Sequence, residues 1–144
     1  MKNYITWLKI AVIFQLLAAA MHSISLFINL PPNNETEKQL FNLMDTYKFD
    51  FGMGFHPTMA EIMLVFSTCL CLLCLLSGLL NWYLIKKKVD AEIMKGVINI
   101  NLIVFAILFG LTATFTFLVP IIQIGLIVVF LVLSRITIRS IKEV

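Results

Sequence analysis

The chain has 144 residues, of which 60% are hydrophobic and 13% charged, with a formal net charge of +3 and a mean hydropathy of +0.98. Apolar residues make up roughly 45–50% of ordinary soluble domains, so this composition excludes that class and points to a membrane protein. The small positive excess is accounted for by charge sorting across a bilayer and gives no reason to expect nucleic acid as a partner.

Four apolar segments are each long enough to cross a bilayer, which needs roughly 20 residues. They cover about 5–28, 59–84, 97–118 and 121–138. The predicted fold is all-α: a single domain over 1–144, an integral membrane four-helix bundle with a short amphipathic helix in its first, outer loop.

Span one begins MKNYITWLK, a basic start that a signal peptide would also have, and Ala18-Ala19-Ala20 offers small residues for cleavage. The apolar run resumes through Ile24, Leu26, Phe27 and Ile28, so an uncleaved span is expected. Ala11, Gln15, Ala18, His22, Ser25 and Asn29 recur at alternating spacings of four and three, which puts them on one helical face. In lipid, small and polar residues mark the faces on which helices meet. His22, about 9 Å below the outer rim at ~1.5 Å per residue, needs a partner or a function there. A neutral histidine hydrogen-bonded across the bundle satisfies that need structurally.

The loop over 29–56 opens with Pro31-Pro32, then offers Asn34 as an N-cap with Glu37 three residues on. Leu40, Leu43, Met44 and Tyr47 follow at helical spacing, predicting an amphipathic helix over about 35–48 that lies on the membrane surface. Asn34-Glu35-Thr36 matches a short glycosylation acceptor motif, which matters only in a eukaryotic secretory setting. Asp50, Gly52 and Gly54 read as a flexible return.

Span two starts at FHPTMAEIML, where Thr58-x-x-Glu61 has the form of a capping box. Glu61 is also about one turn below the rim, near the depth of His22, so three readings stand together: a cap, a structural pair with His22, or a functional site with His56 above it. Further along, Ser67, Cys71, Cys74, Gly78 and Asn81 form an inward stripe. Cys69, Cys71 and Cys74 lie mid-span and read as small hydrophobes, since apolar surroundings raise a thiol's pKa. Span three offers Asn99, Ala106, Gly110 and Thr114 as its inward face, and Pro120 in FTFLVPIIQ is the expected break before span four, which carries Gln123 near its start.

Of eleven positive charges, nine lie at the N-terminus, in the loop between spans two and three, or at the C-terminus, leaving Lys38 and Lys48 in the first loop. The positive-inside rule then makes both termini cytoplasmic.

The candidate ligand-binding residues are His22, Glu61, His56, Gln15 and Gln123. No catalytic set is expected: the sequence has no nucleophile–base arrangement, phosphate loop or nucleotide motif. Haem needs facing histidines, and His22 and His56 fall at different depths. A metal site from His22, His56 and Glu61 is the less favoured alternative, so neither metal nor other cofactor is expected.

Several features together carry a resemblance: WLKIA leading into span one, His22-Ser23 near its outer end, an outer loop with a short helix, an acidic Glu61 early in span two, and Phe115, Phe117 and Pro120 closing span three. The chain thereby resembles an uncharacterised family of small four-span bacterial inner-membrane proteins. Members commonly have a second histidine one turn before His22 with glycine nearby, where this chain has Ala18 and Met21. The resemblance implies a location in the bacterial inner membrane and brings no activity with it.

The expected function is a non-catalytic accessory or interaction subunit, partnered by the lipid bilayer and by another membrane protein or further copies of itself. The alternative is a binding module or membrane enzyme for a small amphiphile, a quinone or lipid, using a polar pocket of His22 and Glu61 near the outer face.

Overall fold

The computed structural model describes residues 3–28 and 31–142. Asn29, the last member of the span-one stripe, and Lys2 lie outside the described residues. Five helices follow one another: α1 (Asn3–Ser25), α2 (Glu35–Thr46), α3 (Met59–Lys87), α4 (Ala91–Phe115) and α5 (Leu118–Lys142). No strand occurs among the described residues. All but α2 are long and apolar enough to cross a membrane. The shortest of these four, α1, has 23 residues, or about 35 Å against a hydrocarbon core of roughly 30 Å.

Helix ends follow local chemistry. Asn34 caps α2 by accepting from the Glu37 backbone N–H at 2.8 Å, while Glu37 Oε2 accepts from the Asn33 backbone N–H at 2.6 Å. The helix stops at Thr46, two residues short of the expected end, because Tyr47 turns extended. At the end of α3, Lys88 takes a left-handed conformation with φ 52. Its N–H donates to the Ile85 carbonyl and that of Val89 to the Leu84 carbonyl, a Schellman closure built without glycine.

The break between α4 and α5 corrects the sequence reading. It falls at Thr116 and Phe117, and Pro120 sits inside the first turn of α5. A helix's first N–H groups have no intrahelical partner, so proline costs little there. The break is made instead by Thr116, whose extended backbone ends α4 and whose hydroxyl donates to the Thr112 carbonyl at 2.7 Å.

The chain forms two compact units, Met1–Ala19 with Leu73–Val144, and Ala20–Leu72. The first unit has a close-packed interior. Leu8, Ala11, Gln15 and Ala18 of α1, Cys74, Gly78 and Asn81 of α3, and Ile124, Ile127, Leu131 and Ser134 of α5 are buried at alternating three- and four-residue spacings. Phe130 stacks between Trp7 and Phe14, with ring centroids 6.0 and 5.4 Å away. Helix α4 buries Met94, Ile98, Asn101, Phe105 and Thr112. This is not the face expected from its small residues: Ala106, Gly110 and Thr114 are exposed. Thr114 donates its hydroxyl to the Gly110 carbonyl of its own helix, so it can face outward without an unmet hydrogen bond.

The second unit holds the end of α1, all of α2, the start of α3 and the segment between α2 and α3. No residue of α2 is buried. Residues 48–58 form a short hairpin: Lys48 bridges Thr58, and the Phe49 N–H donates to the Pro57 carbonyl at 2.9 Å.

Candidate functional site

Within the first unit, three helices bring their amides together. Gln15 Nε2 donates to Asn101 Oδ1 at 3.3 Å, and Asn81 Nδ2 donates to Gln15 Oε1 at 3.2 Å and to Asn101 Oδ1 at 3.3 Å. Asn101 Nδ2 closes onto the Val97 carbonyl of its own helix at 3.0 Å. Gln15 and Asn81 are fully buried and Asn101 nearly so. Gly78, one turn before Asn81, lets α1 approach: a Cβ there would stand 2.8 Å from Leu16 Cδ2. Two more polar contacts lie in the same unit, Ser134 Oγ to the Tyr4 carbonyl at 3.0 Å and Arg135 Nε to Asn99 Oδ1 at 2.6 Å. Amides neither titrate in the physiological range nor act as nucleophiles, so the cluster's chemistry is hydrogen bonding. It leaves one buried acceptor, Asn81 Oδ1, without a partner among the described residues.

Of the candidates named above, Gln15 belongs to this cluster and Gln123 is half-buried on α5. His22, His56 and Glu61 fall in the second unit. Glu61 makes a complete capping box: its Oε2 accepts from the Thr58 backbone N–H at 2.8 Å, and its own N–H donates to Thr58 Oγ1 at 3.3 Å. The glutamate side chain is exposed, while Thr58 is buried. His22 is half-buried, and its Nε2 meets no hydrogen-bond partner among the described residues. His56 is exposed on the hairpin, Nδ1 3.8 Å from Asp50 Oδ1. Among the described residues, no three His, Cys, Asp or Glu side chains gather in a way that could hold a metal ion.

The second unit also contains an apolar hollow of about 430 Å³. Leu40, Leu43 and Met44 of α2 with Tyr47 at its C-cap form one wall, and Phe49 of the hairpin and Met59 of α3 complete it. The apolar periodicity of α2 indicates its share of this wall. Phe49 and Met59 join it only through the hairpin, which alternating hydrophobicity does not announce. Asn101 was equally hidden from a reading that followed small residues, and the signal that finds it is the repeat of Met94, Ile98, Asn101, Phe105 and Thr112. A smaller groove of about 250 Å³ runs beside Glu61, along Pro57, Ile62, Val65 and Phe66.

No family model, no curated protein and no solved structure matches this chain.

Proposed function

We propose that the chain is a four-span protein of the bacterial inner membrane, both termini cytoplasmic, working as a non-catalytic accessory or interaction subunit. One observation carries this reading: the polar side chains best placed for chemistry spend their hydrogen bonds on structure. Gln15, Asn81 and Asn101 bond one another, Arg135 holds Asn99, and Glu61 caps its helix. Meanwhile a Cβ on the exposed Gly110 would meet nothing within 4 Å, so this small-residue face of α4 is open to a neighbouring helix.

Native mass spectrometry after gentle extraction tests the proposal. A bound partner chain or a second copy is expected, with Gly110→Leu lowering its occupancy while the chain stays folded. A bare monomer across several mild detergents overturns it.

A second reading, binding of a small amphiphile, is favoured by the apolar hollow under α2 and by the unpartnered His22 Nε2. The same spectra separate the two, because a retained lipid-sized mass in place of a protein partner supports binding.

A further inference from the structure

The segment between α2 and α3 is built, although its glycines suggest a slack connection. Lys48 bridges Thr58 at its base, the Phe49 N–H donates to the Pro57 carbonyl, and the Phe51 N–H reaches the Phe55 carbonyl at 3.4 Å. Asp50 Oδ1 accepts from the Gly52 N–H at 2.8 Å, and Phe55 returns a bond to the Gly52 carbonyl at 3.1 Å. Aromatic rings brace one arm: Phe49 stands edge-on to Tyr47 at 5.0 Å and stacks on Phe51 at 5.9 Å. The base is anchored to α3 by the Thr58–Glu61 capping box.

The tip presents only apolar side chains. Phe51, Met53 and Phe55 are 66%, 98% and 70% exposed. Gly52, Met53 and Gly54 have φ of 76, 54 and 81, three consecutive left-handed residues. Glycine adopts that conformation freely, but a methionine is strained in it, and a turn meant for water would carry Asn, Asp or Gly. A large apolar side chain held at a strained apex and almost wholly exposed implies that the apex serves a contact.

We infer that the hairpin tip, Phe51, Met53 and Phe55, inserts into the outer leaflet of the bilayer at the boundary between headgroups and acyl chains. This rests on the membrane-spanning reading proposed above. The occupant follows from reach and charge. Met53 is five residues from Thr58, which limits it to about 17 Å from the start of α3 at ~3.3 Å per residue. Within that distance of a spanning helix's end lie the lipid headgroups and the outer ends of the acyl chains, which an uncharged apolar tip prefers to water. Residues 51–55 carry no ionisable side chain, and the nearest ones are Asp50 and His56 on either side, so the tip enters without desolvating an ion. The exposed face of α3 continues the apolar surface, with Met59, Met63 and Phe66 turned outward.

The test is depth-resolved quenching in phosphatidylcholine proteoliposomes. In a full-length chain with Trp7 and Trp82 both replaced by Phe, a single tryptophan is placed either as Met53→Trp or, as a reference on α3, as Phe66→Trp. Lipids brominated near the headgroup end of the chains are expected to quench Met53→Trp at least about twofold more than lipids brominated deep in them, with little quenching by aqueous iodide. Iodide quenching of Met53→Trp without bromolipid quenching overturns the inference, provided Phe66→Trp is quenched by lipid. Shielding of Met53→Trp from both agents also overturns it, in favour of a protein contact. Loss of lipid quenching at Phe66→Trp instead defeats the membrane-spanning reading itself. Phe55→Trp, which leaves the left-handed apex untouched, gives a second reading if Met53→Trp does not fold.

Discussion

The two units differ in what they enclose, although both leave apolar side chains exposed. In the first, Leu8, Ile98, Phe105, Ile127 and Leu131 are wholly enclosed, and amides and hydroxyls bond across helices. In the second, α2 encloses nothing, and Leu40, Leu43, Phe51, Met53 and Phe55 stand exposed. A side chain enclosed by its own protein is fixed by packing, and its replacement is felt as stability. A side chain left outside is fixed by whatever medium or partner covers it. The first unit therefore supplies the frame, and contacts with the surroundings are to be sought on the exposed surfaces of each unit, the Gly110 face of α4 in the first and the apolar side chains left outside in the second.

The largest test of that division is Gly78→Leu. The added carbons would drive into Leu16 and the Gln15 stem, so a loss of about 3 kcal/mol is expected, measured by unfolding in mild detergent titrated with a denaturing one. A loss no greater than that of Gly110→Leu, where nothing lies within 4 Å, would break the distinction between enclosed and open faces.

Next in size is Asn81→Ala. It removes the donor to Gln15 Oε1 and one of two donors to Asn101 Oδ1, leaving a buried carbonyl unmet, at a cost of about 2 kcal/mol. The same unfolding assay reads it, and a change near zero would mean that the amide cluster does not stabilise the first unit.

The smallest effect is expected at Glu61, in the second unit. Glutamine also completes a capping box, so Glu61→Gln should change stability by less than about 0.5 kcal/mol. Combined with His22→Ala, the double-mutant cycle is expected to give a coupling below about 0.5 kcal/mol, the scatter of independent sites. A larger coupling would assign the carboxylate to the histidine and not to the helix end.

These comparisons also explain what was legible in the sequence. The four long helices follow from apolar run length, and the α2 start from Asn34 and Glu37, because both depend on neighbours along the chain. Enclosed faces of α1 and α3 could be read where small residues and amides share one stripe, as at Gln15, Ala18, Gly78 and Asn81. That rule fails on α4: Thr114 satisfies its own hydroxyl and faces outward, while Met94, Ile98 and Phe105 go inward. In a chain so apolar, both faces of a helix look alike, and only the partners decide which is enclosed. The hairpin was hidden for a different reason, since its order comes from backbone bonds such as Phe49 to Pro57, which side-chain patterns do not record. At Glu61 spacing offered the cap as one of three readings, and the choice among them, like the environment of the His22 ring, depends on packing that spacing does not describe.

The amide cluster has a consequence in time. Gln15 belongs to α1, and its bonding partners come 66 and 86 residues later in the chain. At synthesis rates of about 5–20 residues per second, its amide waits on the order of 5–20 s before α4 emerges. On the membrane reading, α1 meets lipid during that interval with a polar group that has no answer in its own helix. On that reading the Gln15 amide gains its partners one at a time, first Asn81 and then Asn101.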